Sequence, residues 1–128
     1  MSKYVIDAWA WIEYLDGTEG GRRVGVAIEN DDEIFTCAMT IAEVVSRVAR
    51  KGMNVKIAYD VMLNNSQVVN LDEELSLEAG LSHFKMRKTM KDFGLADAYV
   101  LAIARKLKSK ILTGDPHFKG VKEAVLIK

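Results

Sequence analysis

Short apolar runs alternate with longer stretches of helical periodicity along the whole chain: "KYVID", "EIFTC", "QVVNL", "KILTGD" and "AVLIK" recur between helix-like segments. No other feature constrains the fold as strongly. Near-continuous apolar strands have to be covered on both faces, and parallel strands need long crossovers, usually helices, to connect them. The pattern predicts the α/β class, with a mostly parallel sheet of four to five strands carrying helices on both sides.

The intervening segments fit that role. "AWAWIEYLDG" spaces Trp9, Ile12 and Leu15 for one helix face and stops near Gly17. A second helix is predicted from Thr18 to about Asn30, despite Gly20, Gly21 and Gly25. "TIAEVVSRVARKG" places Ile41, Val44, Val45 and Val48 on one face. Thr40 followed by Glu43 is a capping-box spacing that puts the glutamate in the first helical turn. Asn54 is placed to cap a helix running to about Asn65, and another is predicted from Asp72 to about Met90. In "LADAYVLAIARKLKSK", Leu95, Tyr99, Ala102, Ile103 and Leu107 fall at helical steps. There is no internal repeat or linker, and 128 residues suit a single domain spanning 1–128.

Composition excludes several function classes. With 49% apolar and 28% charged residues, the chain has the profile of a packed core, not of a disordered tail. The formal net charge is zero, so a globally basic nucleic-acid footprint is absent. Two local clusters stand out: Lys85, Arg87, Lys88 and Lys91, then Arg105, Lys106, Lys108 and Lys110. Such stripes can hold phosphates, although solvated helix faces explain them equally well. Cys37 is the single cysteine, expected in the core. The absence of a disulfide partner, of a signal region and of any span near 20 apolar residues predicts a soluble cytoplasmic protein with no membrane contact.

The acids carry the functional signal. In parallel α/β sheets, ligands bind beyond the carboxyl ends of the strands. Asp7 ends the first strand, Glu43 opens the helix after the second, Asp97 lies near the start of a helix, and Asp115 follows the fourth apolar strand. Each could serve only as a helix cap, which typically contributes ~0.3–1 kcal/mol. Four carboxylates gathered together repel one another and require a cation. Hard oxygen donors favour Mg²⁺ or Mn²⁺, and no His/Cys ligand spacing supports zinc, so His83 and His117 are expected as packing or surface residues. Nucleotide-cofactor glycine fingerprints are missing.

"YVIDAWAWIEYL", "TIAEVVSRV" and "LADAYVLAIARKLKSKILTGDPHF" together resemble PIN-domain ribonucleases, in particular the VapC toxins of type II toxin–antitoxin pairs. The resemblance runs from about Tyr4 to Phe118. It implies a three-layer α/β/α fold, Mg²⁺- or Mn²⁺-dependent RNA cleavage, frequent homodimers and inhibition by a cognate antitoxin. The family's four acids match Asp7, Glu43, Asp97 and Asp115, and its hydroxyl residue two before the last acid matches Thr113, expected to orient Asp115. Two departures are visible. Ala8 and Trp9 follow the first aspartate where relatives often carry Ser or Thr, and His117 stands where some carry an acid, lowering the expected affinity for a second metal.

On this reading Asp7, Asp97 and Asp115 anchor one or two ions. Glu43 completes the ring or accepts a proton from the attacking water. Lys85, Arg87, Lys88 and Lys91 hold the RNA backbone. Apolar positions near Trp9, Trp11, Ile12 and Tyr14 offer an antitoxin groove, or simply core. Two alternatives remain open: a PIN-like module that binds RNA or protein without catalysis, and a Mg²⁺-dependent phosphohydrolase. The haloacid-dehalogenase type of the latter would need an aspartate where Trp9 stands.

Overall fold

A computed structural model describes residues 2–127. Five strands form one sheet: β1 (Lys3–Ile6), β2 (Glu33–Cys37), β3 (Gln67–Val69), β4 (Lys110–Thr113) and β5 (Ala124–Leu126). Their order is β3-β2-β1-β4-β5, and every neighbouring pair is parallel. Six helices connect them: α1 (Ala8–Leu15), α2 (Arg22–Glu29), α3 (Ala38–Arg50), α4 (Val55–Asn65), α5 (Glu73–Met86) and α6 (Leu95–Leu107). A 3₁₀ turn, Pro116–Phe118, follows β4.

The strands are too apolar to leave either face in water, and each face carries its own core. Tyr4, Ile6, Ile34 and Leu112 point to one side, where Trp11, Val24, Val44, Val48 and Met62 of α1–α4 cover them. Val5, Phe35 and Ile111 point to the other side and pack with Leu75, Ala79, Leu101 and Ile103 of α5 and α6. This is the expected three-layer arrangement, set by the alternation of side chains along each strand. One chain of polar groups inside it is fully paired. Trp11 Nε1 donates to Thr36 Oγ1 (3.1 Å), which shares a 2.7 Å bond with Ser66 Oγ, and Ser66 Oγ in turn donates to the Met62 carbonyl at 2.6 Å. Cys37 is buried, and burial pushes its thiol pKa up, as suits a core residue.

Several element boundaries differ from the sequence prediction. Helix α2 begins at Arg22, not Thr18, because the chain turns tightly beforehand. A Cβ on Gly21 would sit 2.2 Å from the Glu13 carbonyl oxygen, so only glycine lets α2 approach α1 this closely. Helix α3 begins at Ala38, directly from β2 with Cys37 at its N-cap. Thr40 is therefore a buried third helical residue, and Glu43 lies in the second turn. The predicted Thr40–Glu43 capping box does not form. Helix α5 ends at Met86, four residues early, and Leu95 of α6 is exposed while Ala98, Val100, Leu101, Ala102, Ile103 and Ala104 are buried. Packed between the sheet and α5, α6 buries most of its circumference, which a single-face pattern does not capture. Among the described residues, no helix is long and apolar enough to cross a membrane.

Candidate active site

The order β3-β2-β1-β4-β5 reverses direction at β1, which is flanked by β2 on one side and β4 on the other. In open parallel sheets such a reversal opens a crevice at the carboxyl ends of the strands. Here it holds a pocket of about 340 Å³ lined by Asp7, Trp9, Glu43, Arg47, Arg50, Asp97 and Asp115, among others. All four acids singled out in the sequence meet in this pocket.

Three of the four also cap helical turns, so capping and site geometry are the same interaction. Asp7 ends β1 and caps α1, its Oδ1 accepting from Ala10 N at 2.8 Å. Its Oδ2 accepts from Thr113 Oγ1 at the end of β4. Asp97 Oδ2 accepts from Gly94 N (3.0 Å) at the start of α6, where Gly94 has no side chain to cap with. Asp115 caps the 3₁₀ turn through Oδ1 and His117 N, 2.9 Å apart. Glu43 stands on the more exposed α3 wall.

Thr113 does more than the sequence indicates. It was expected to orient Asp115 as a donor; instead its Oγ1 accepts from the Asp115 amide at 2.9 Å. The same hydroxyl donates to Asp7, so it ties together the ends of β1 and β4. Thr113→Val, close in volume but unable to donate, leaves Asp7 Oδ2 without this donor. Catalytic activity should fall by about 10–100-fold, the range for partners that orient metal ligands, with circular dichroism unchanged. Activity equal to wild type would mean that the Asp7 carboxylate holds its position without the hydroxyl.

The electrostatics of the pocket favour a cation. Burial pushes the Asp7 pKa from 3.8 to about 7, with smaller upward contributions from Asp115 and Asp97. Burial, then Asp97 and Asp115, raise Glu43; burial and Asp115 raise Asp97. What holds these values down is hydrogen bonding, from Thr113 and Ala10 to Asp7 and from Gly94 to Asp97, and for Asp97 also His117. Carboxylates that raise one another in a half-dry crevice suit a cation in charge and in donor chemistry.

His117, expected as a packing or surface residue, is partly exposed and stands beside two of the acids. Its Nδ1 lies 3.5 Å from Asp97 Oδ2 and 3.3 Å from Asp115 Oδ1. Ligand atoms of Asp97, Asp115 and His117 all fall within 4.8 Å of one another, a spacing open to a metal ion. The signal available in sequence was its place two residues after Asp115, on the same turn. Arg47 and Arg50 also line the pocket, at helical steps from Glu43 along α3. By contrast, Lys85, Arg87, Lys88 and Lys91 are not in its lining. Lys85 lies in a separate groove with Arg105 and Lys106, and Lys88 stacks on Phe84, 4.7 Å from the ring centre.

Trp9, two residues after Asp7, packs on the β4 loop. A Cβ on Gly114 would stand 2.5 Å from Trp9 Cδ1 and 2.6 Å from Nε1. Gly114→Ala must displace the indole or the Thr113–Asp115 turn, at an expected ~1–3 kcal/mol. Thermal unfolding and activity measured on the same sample check it, and an unchanged melting temperature would refute the close-packing argument.

The model of the PIN domain family matches residues 4–124. The chain belongs to the PIN-domain family. Solved structures share the fold. VapBC2 from Rickettsia felis, bound to a DNA fragment from its promoter, gives a TM-score of 0.74 at 13% identity, covering 97% of this chain and 96% of that one. DNA-bound VapBC from Salmonella typhimurium gives 0.72 at 14%, covering 100% of each. VapC20 from Mycobacterium tuberculosis, described as a Sarcin-Ricin loop cleaving toxin, gives 0.69 at 17%, covering 94% and 95%. A sequence search of curated proteins gives no match. In this PIN domain the Ala8–Trp9 departure is compatible with an intact acid cluster, since Thr113 supplies the hydroxyl on Asp7.

Proposed function

We propose that this PIN domain is a divalent-metal-dependent endoribonuclease of the toxin type, neutralised by a cognate antitoxin. The observation that carries the reading is the convergence of Asp7, Glu43, Asp97 and Asp115 in one pocket at the sheet's reversal point. Asp7, Asp97 and Asp115 would hold Mg²⁺ or Mn²⁺, with His117 beside them as a nitrogen donor that tilts the preference toward Mn²⁺. When bound, such an ion lowers the pKa of a water and neutralises charge on phosphodiester oxygens.

The chain's own residues do the rest. Thr113 and the Ala10 amide fix the Asp7 carboxylate, so its geometry does not depend on the substrate. Glu43, whose pKa is raised by burial and then by Asp97 and Asp115, takes the proton from the attacking water as that oxygen bonds to phosphorus. The scissile P–O bond then breaks, the leaving oxygen takes a proton from solvent water and is released as a hydroxyl, and Glu43 returns its proton to solvent. Arg47 and Arg50 face the same pocket and contact backbone phosphates, which positions RNA without reading its sequence. The cluster Lys85, Arg87, Lys88 and Lys91 is assigned a more distant part of the RNA. The toxin–antitoxin complexes among the structural neighbours support an antitoxin partner.

Cleavage of a mixed RNA pool with Mg²⁺, Mn²⁺ or EDTA tests the reading, with Glu43→Gln alongside. Because Glu43 is not part of a cap, glutamine leaves α3 intact and removes only the carboxylate. Cleavage should drop on the order of 10²–10⁴-fold, the range for general-base removal. EDTA-resistant cleavage, or a fully active Glu43→Gln protein, would overturn the assignment.

A further inference from the structure

The second basic cluster of the sequence, around Arg105–Lys110, meets the start of β1 at the opposite edge of the sheet from the acids. Together they line an open pocket of about 560 Å³, formed in part by Lys3, Arg105, Lys108, Ser109, Lys110 and Glu123. Lys122 completes the lining. Five cations thus face one acid. Glu123 is taken up by Arg105, at 3.4 Å, and Lys3 lies 4.0 Å from Glu33. Lys108, Lys110 and Lys122 make no ion pair among the described residues.

Two further observations point to a ligand. Ser109 is 6% exposed, and its Oγ is buried with no hydrogen-bond partner among the described residues. Burying a hydroxyl unsatisfied is costly, and such groups are exceptional in folded proteins. Glu123 Oε1 is in the same state, a buried acceptor on a residue that lines the same pocket. Lys108 adopts left-handed backbone, φ 54°, at the C-cap of α6, where glycine or asparagine is usual. Two of the α6 carbonyls that would repel an anion are engaged. Ala104 O accepts from Ser109 N at 2.8 Å, and Arg105 O accepts from Lys108 N at 3.4 Å.

We propose that this pocket binds a ribonucleotide phosphate, either as a free nucleotide or within an RNA strand. Lys108, Lys110 and Lys122 supply the charge, Ser109 Oγ donates to a phosphate oxygen, and Glu123 Oε1 accepts from a ribose hydroxyl. The size lies in the range of nucleotide-sized ligands. The inference does not depend on the nuclease reading, since nothing in it involves the acid cluster.

Amide NMR of the whole chain in EDTA tests it, with three probes titrated separately: a ribonucleoside 5′-diphosphate, a short single-stranded RNA and inorganic phosphate. Shifts at Lys108, Ser109 and Lys110 with the diphosphate identify a free nucleotide, and shifts there with RNA alone identify a strand; either supports the site. Lys108→Gly removes the charge while suiting the left-handed backbone, and Ser109→Ala removes a hydroxyl that has no partner, so both should fold. Each should weaken binding by about tenfold, roughly one charge-assisted hydrogen bond. No shift at these amides with any probe, affinities unchanged in both variants, or inorganic phosphate binding as tightly as the diphosphate would overturn the proposal.

Discussion

Asp7→Asn is expected to lower RNA cleavage by at least about 10²–10³-fold, the scale on which one transition-state charge stabiliser acts, while leaving the protein folded. Asparagine has the same shape, so its amide oxygen can still accept from Ala10 N and cap α1. Its amide nitrogen would face Thr113 Oγ1, which can accept in place of donating. The loss is therefore one of charge and metal affinity, not of architecture. Single-turnover cleavage in saturating Mn²⁺, with circular dichroism of the same preparation, separates the two. A folded Asp7→Asn protein that still cleaves at the wild-type rate would remove Asp7 from the mechanism and with it the central place of the reversal-point pocket.

Without metal, the wild-type protein should lose stability as pH rises from about 4 to about 7 and remain flat above that. Burial holds the Asp7 pKa at about 7 in the folded chain against 3.8 for the ordinary side chain. Between those values the folded state binds more protons than the unfolded state, so unfolding free energy falls with rising pH. The full shift corresponds to roughly 4 kcal/mol, a large part of the 5–15 kcal/mol typical of small domains. Glu43 and Asp97, also raised, contribute in the same direction. Urea denaturation in EDTA across this window should show the slope, and Asp7→Asn should remove most of it and be the more stable protein above pH 7. Adding Mn²⁺ at pH 8 should restore stability to the wild type more than to the variant, because the ion binds only the folded site. Superimposable pH curves for the two proteins would refute the burial argument.

Much of this was legible without the fold. Asn54 and Asp72 cap α4 and α5 as their spacing indicates, with side chains accepting from Ile57 N (3.0 Å) and Leu75 N (2.8 Å). Such caps are decided within four residues, so local sequence suffices. The same locality explains the failure at Thr40. A capping-box spacing is necessary for that cap, but β2 runs straight into α3, and the helix is already under way when Thr40 is reached. Leu95 fails for a different reason: periodicity shows that a helix has an apolar face, not how many neighbours will surround it.

By itself the sequence determined the sheet and the edge on which the acids fall. Apolar runs buried on both faces force parallel strands with helical crossovers, and acids that terminate those runs or open the intervening helices then share one edge. Only the tertiary structure decided which side chains meet there. It brought Thr113 onto Asp7 across 106 residues of chain, turned His117 toward Asp97, and placed Arg47 and Arg50, not Lys85 or Lys88, in the wall of the pocket. Those contacts join groups on different elements, and their distances follow from how α1, α3 and α6 pack on the sheet. Local sequence does not encode that packing, and the burial that raises the pKa of Asp7 depends on it.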